Sequence, residues 1–152
     1  MKPKILFILH LPPPIHGAAM MGKYIQESEL VNSSFDCFCI NLATAGSLSD
    51  IGHISLKKLL KYFFLLKHIS HVVREIRPEL VYITPNAGGK AFFKDFIVVQ
   101  MLKSMGCKVI AHYHNKGVSV YQSKWVYNFF YKRFFSNLKV ILLAENLYKD
   151  IA

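Results

Sequence analysis

The chain has 152 residues, enough for one ordinary domain and too short for two. At 53% hydrophobic and 18% charged residues it can bury a core, which excludes disorder, and no run of about 18 apolar residues is present to span a bilayer. The net charge of +10 is uneven: residues 1–54 carry three lysines against four carboxylates, residues 55–152 carry 16 basic groups against five acidic ones, and a surface of that sign suits nucleic acid, phospholipid headgroups or a phosphorylated substrate.

Lys4–His10 is a compact apolar run that ends in Pro12-Pro13-Pro14. A secretory leader would start similarly, but His10 and the prolines interrupt the apolar stretch, so the expectation is a buried first strand. Gly17–Leu30 has the apolar spacing of a helix, and Asp36–Leu42 reads as a second strand. Cys37 and Cys39 alternate along it; with Cys107 they are odd in number and lack metal spacing, which predicts small buried residues in a reducing cytoplasm. Residues 43–54 form a long polar loop.

The longest helix is expected over Ser55–Arg77, with Ser55 as N-cap, an apolar stripe of Leu56, Leu59, Leu60, Phe63, Ile69, Val73 and Ile76, and Pro78 as the stop. Strands follow at Leu80–Thr84, Lys108–His114 and Lys139–Ala144. Helices are expected at Lys90–Met105, closed by Gly106, and at Tyr121–Ser136. Five strands joined by helical crossovers make an α/β, Rossmann-like, doubly wound parallel sheet, here with expected order 3-2-1-4-5. Ligands then collect at the carboxyl ends near the switch between strands 1 and 4, which points to His10–Gly17, Thr84–Lys90 and His112–Gly117.

Each of these loops carries candidate chemistry. Gly17-Ala18-Ala19 lets a ligand or backbone approach a helix start, where amides suit a phosphate; His16, beside the proline turn, could touch a ligand and is expected on the acceptor side. The dinucleotide G-x-G-x-x-G is absent, and Gly17–Lys23 fails as a P-loop because Tyr24 replaces Ser or Thr. Thr84–Lys90 offers Asn86 and Lys90 to a sugar hydroxyl or phosphate, or serves as a flexible cap. His112 and His114 share one face of their strand. They could hold a metal, but no third ligand accompanies them, and a histidine at a strand's carboxyl end suits a general base. His114 is preferred because it adjoins Asn115, Lys116 and Gly117; His53, His68 and His71 read as surface residues.

The Tyr121–Ser136 helix mixes Trp125, Tyr127, Phe129, Phe130, Tyr131, Phe134 and Phe135 with Lys124, Lys132 and Arg133. Either the rings meet an anionic membrane, or they face the sheet or a partner domain and the charges are solvated. No reading motif for nucleic acid is present, so nucleic acid is not expected as a partner.

The segments Lys4–Met20, Lys108–Gly117 and Val140–Tyr148 together resemble the N-terminal half of bacterial GT-B glycosyltransferases of the large retaining family 4. The resemblance covers essentially the whole chain. It implies an acceptor-side domain facing a donor domain that binds a nucleotide sugar, no metal cofactor, and a saccharide or lipid-linked acceptor in cell-surface polysaccharide synthesis. It also implies a cytoplasmic protein, peripheral at the inner face of the cell membrane. By the same resemblance Gly17 and Ala18 approach the donor phosphate, and Asn115 and Lys116 orient the acceptor. His114 acts on the acceptor side; either it or the leaving phosphate takes the acceptor's proton. The family's paired glutamates are missing, since Glu75 and Glu79 lie four apart across Pro78. The expectation is therefore half of an enzyme, inactive alone; the alternative is a self-contained, noncatalytic nucleotide- or phosphosugar-binding module.

Overall fold

A computed structural model describes residues 2–13, 15–42 and 56–151. The expected loop over 43–54, with His53, and the expected cap at Ser55 lie outside these residues. Five strands, β1 (Lys4–Leu9), β2 (Asp36–Asn41), β3 (Leu80–Ile83), β4 (Val109–Tyr113) and β5 (Lys139–Leu142), form one parallel sheet with helices between them. The α/β, Rossmann-like class matches the expectation.

The strand order does not. It is β2-β1-β3-β4-β5 rather than 3-2-1-4-5, so the reversal falls between β1 and β3 instead of strands 1 and 4. The reason lies in β2. An order of 3-2-1 would place β2 between two neighbours, covered on both faces. Its run from Asp36 to Asn41 has polar ends and a single fully buried residue, Ile40, whereas β3 buries Val81 and Ile83. A half-polar strand belongs at an edge and an apolar one inside. The edge position also corrects the expectation for the β2 cysteines: Cys39 is exposed and Cys37 only partly buried, as is Cys107 in the turn before β4.

The chain packs as two compact units, Met1–Tyr82 and Ile83–Ala152. In the first, β1 pairs with β2 in parallel from Lys4↔Asp36 to Leu9↔Asn41. Ile5 to Leu9 are all buried, and Ile5, Phe7 and Leu9 pack with Ile25, Phe35, Leu80 and Tyr82. The helix expected over Gly17–Leu30 is two helices, α1 (Gly17–Glu27) and α2 (Glu29–Ser34). Ser28 makes the break: its amide closes α1 on the Ile25 carbonyl while its hydroxyl accepts from the Val31 amide at 3.4 Å. The long helix α3 runs over Leu56–Ile76 and stops at Arg77, whose φ of 50° ends the helical path just before Pro78. It buries Tyr62, Ile69 and Val73, but Leu56, Leu59, Leu60 and Phe63, assigned to the same stripe from spacing, are exposed.

In the second unit, helix α4 (Gly89–Ser104) ends as its sequence implies. Gly106 has φ 77°, its amide bonds the Lys103 carbonyl, and the Cys107 amide bonds that of Leu102. The expected Tyr121–Ser136 helix is split by Ser123 and Lys124 into α5 (Val118–Gln122) and α6 (Trp125–Phe135). Lys103 holds the end of α6, donating to the carbonyls of Arg133, Phe134 and Ser136 at 3.1, 2.6 and 2.5 Å. The α6 rings divide into two sets. Tyr127, Phe130, Tyr131 and Phe134 pack on Phe92, Phe93 and Phe96 of α4, whereas Trp125 and Phe129 point outward. A 3₁₀ turn over Glu145–Leu147 leads into the short helix α7 (Tyr148–Ile151). Among the described residues no helix is long and apolar enough to cross a membrane.

Candidate functional site

The first unit supplies the turn after β1. His16 caps α1, its Nδ1 accepting from the Ala19 amide at 3.3 Å, and its ring lies 6.0 Å from that of His10. That capping bond fixes the orientation of His16, which was expected as a ligand contact, and commits one ring nitrogen to the backbone. Gly17 is exposed and a Cβ there would meet nothing within 4 Å, so the helix start is open on that side; Ala18 is half-buried. The close approach expected of Gly17-Ala18-Ala19 occurs one turn later. A Cβ on Gly22 would stand 2.2 Å from the His10 carbonyl oxygen, so Gly22 is where α1 lies down on the end of β1.

The second unit brings the loops after β3 and β4 into one framework. Asp95, on the buried side of α4, accepts from both the amide and the side-chain nitrogen of Asn86 with the same oxygen, at 2.7 and 2.8 Å. Burial pushes its carboxyl up to about 6, against the pull of those two bonds and of Lys94. Tyr131 donates its hydroxyl to the Ala87 carbonyl, and the Tyr121 ring fills the space where a Gly88 side chain would be. The loop over Thr84–Gly89 is thus held from α4, α5 and α6. It is a built structure rather than a flexible cap, with Lys90 exposed beside it.

The loop after β4 is pinned at its far end. Asp150 accepts from the amides of Gly117, Val118 and Ser119 at 2.8, 3.0 and 3.2 Å and from the Ser119 hydroxyl at 2.5 Å. Burial raises its carboxyl, but those four bonds prevail and hold it below the ordinary value. Asn115 and Lys116, between the two fixed points, are exposed.

His114 stands just beyond the last residue of β4. Neither of its ring nitrogens has a partner among the described residues, although both are buried, and burial lowers its pKa. The His112 ring lies 4.1 Å away, and burial together with His114 pushes His112 down to about 4. Burial disfavours a proton on either ring, and a proton on one would repel a proton on the other. Among the described residues no three His, Cys, Asp or Glu side chains gather as a metal site needs. Tyr113, on the opposite face of β4, is buried with its hydroxyl unpartnered and its pKa raised by burial.

No protein-family model matches the chain, and neither a curated protein nor a solved structure does.

The sequence picked out the residues that face the loops, Asn86, Lys90, His114, Asn115 and Lys116, and missed those that hold the loops in place. Asp95 had a visible signal. It sits with Phe92, Val98, Val99 and Leu102 on the apolar stripe of α4, where an acid must be there to receive hydrogen bonds. Asp150 had none, because its partners lie more than 30 residues earlier in the chain.

Proposed function

We propose that this chain is the acceptor-side domain of a GT-B glycosyltransferase of the retaining family 4 type, moving a sugar from a nucleotide sugar to a saccharide or lipid-linked acceptor. The observation that carries this is His114: an imidazole at the carboxyl end of an interior strand, its pKa lowered by burial, with both nitrogens buried and unpartnered. Leaving such nitrogens unpaired costs roughly 1–3 kcal/mol, which a ligand hydroxyl would recover. The hydroxyl would give its proton to one nitrogen as its oxygen forms the new glycosidic bond and the nucleotide phosphate leaves. Asn86, held by Asp95, with Lys90, Asn115 and Lys116, would orient the acceptor. Gly17 and Ala18 would meet the donor phosphate, and His16 the acceptor.

Two measurements test this. In the enzyme together with its donor-binding half, His114→Ala is expected to cut turnover by roughly 10²-fold or more; unchanged turnover removes His114 from the chemistry. In the chain alone, saccharide acceptors should shift the His114 ring resonances and nucleotide sugars should not. Tight nucleotide binding by the chain alone would instead favour a self-contained nucleotide- or phosphosugar-binding module.

A further inference from the structure

We propose that Cys37 and Cys39 together form a surface site for one soft, two-coordinate metal ion, copper(I) being the biological member of that class. Free cysteines are among the most buried residues of proteins. These two are not: Cys39 is exposed, Cys37 is partly buried, and neither is in a disulfide. They stand two residues apart on an edge strand, so both side chains leave β2 on one side and Phe38 leaves on the other. The register fixes their surroundings. Cys37 lies beside Ile5 and Cys39 beside Phe7, both buried residues of β1, so the pair has apolar side chains on its inner flank. Cys37 also lines a cavity of about 600 Å³ with Lys2, Lys4 and Asp36, which gives an ion a way in.

Strand geometry selects the chemistry. Residues i and i+2 of a parallel strand stand about 6.6 Å apart with their Cα–Cβ bonds aligned. A disulfide needs Cβ atoms about 3.8 Å apart, so these two thiols cannot bond to each other while β2 stays a strand. An ion held in line between two thiolates needs sulfurs about 4.6 Å apart, at roughly 2.3 Å per metal–sulfur bond. Leaning each Sγ about 1 Å toward the other supplies that separation with the backbone unchanged. Zinc would require further ligands, and among the described residues no three His, Cys, Asp or Glu side chains gather. A soft ion of the copper(I) type is satisfied by the two thiolates. Binding breaks both S–H bonds, forms two sulfur–metal bonds and releases two protons to water, with no change of oxidation state. The Cys37 thiol gives up only weak contacts, to the Phe35 and Val31 carbonyls at 3.6 and 3.8 Å. The site lies on β2 and is independent of the acceptor-side reading.

The test adds silver(I), an air-stable probe of the same class, to the full chain and locates the thiols still open to maleimide by mass spectrometry. One equivalent is expected to protect Cys37 and Cys39 together, with the mass of one silver gained and two protons lost. Copper(I), added without oxygen, should protect the same two thiols. Cys107→Ser should leave both results unchanged. Cys37→Ser and Cys39→Ser should each weaken silver binding by roughly 10²-fold against a competing chelator, because either change removes the second, intramolecular contact. Should a variant fail to fold, the count of protected thiols in the wild type decides. Protection of a single thiol per silver, serine variants that bind as tightly as the wild type, or preferential protection of Cys107 overturns the proposal. So does copper(I) that leaves either thiol of the pair open. A dimer that forms only with silver would mean an ion bridging two chains, and overturns it as well.

Discussion

Asp95 and Asn86 meet at a single carboxylate oxygen, which accepts both the main-chain and the side-chain nitrogen of Asn86. The bond ties the loop after β3 to the middle of α4, and it is made by an acid held against its preference for water. Burial dominates over the two hydrogen bonds, so the folded pKa is about 6 against 3.8 for the free group.

The folded state therefore keeps this proton through a pH range where the unfolded chain has released it. Between about pH 4 and 6, stability attributable to Asp95 falls as pH rises, by roughly 1 kcal/mol per unit, and then levels off. Asp95→Asn removes the titration. Urea unfolding across pH 4–8 should show wild type losing ground to Asp95→Asn over that range; parallel curves would contradict the assignment.

Asp150 titrates in the opposite sense. Its folded pKa is lowered, so its contribution is complete above the unfolded value and disappears as pH falls through the folded one. Asp150→Asn keeps the shape but loses the charge that receives three amides at the start of α5. At pH 7 it should cost about 1–2 kcal/mol. The difference from wild type should shrink in acid, as measured by the same unfolding experiment.

Two glycines of α1, Gly17 and Gly22, should behave unlike each other. Gly22→Ala drives a methyl into the His10 carbonyl and should destabilise by about 1–3 kcal/mol or more. Gly17→Ala meets open space, so thermal unfolding should show little change or a slight gain. Equal effects at the two positions would mean that α1 does not lie on the end of β1 as described.

Gly88 and Tyr121 are predicted to be coupled. A methyl at position 88 would overlap the Tyr121 ring, 2.2 Å from Cε2, so Gly88→Ala alone should cost roughly 1–3 kcal/mol. In a background of Tyr121→Ala the same change should be nearly neutral. A double-mutant cycle measures the difference directly.

Local features of the fold were legible wherever one residue dictates one geometry. Pro78 stops α3, Gly106 closes α4, and β1 is apolar from Ile5 to Leu9, where it is buried on both faces. Strand order was less accessible, yet the polar ends of β2 marked it as an edge. What periodicity could not supply was direction. The spacing of Leu56, Leu59, Leu60 and Phe63 fits a helix equally well whether those side chains face the core or the solvent. The same holds for α6, where Phe130 and Phe134 are packed and Trp125 and Phe129 are not. At the candidate site the exposed residues were readable from their chemistry, but Asp150, Tyr121 and Tyr131 act across long separations that no local pattern encodes.

The alternation along β4 carries a constraint on how this chain can change over time. Tyr113 goes in among the rings of Phe134 and Phe135, and His112 and His114 go to the other side. Inserting or deleting one residue within Val109–Tyr113 would exchange those sides, pushing an imidazole into the aromatic packing and carrying the phenol out to the loop. Within the strand itself, length changes are tolerable only in steps of two, and the loop beyond His114 is bounded in turn by the bonds from Gly117, Val118 and Ser119 to Asp150.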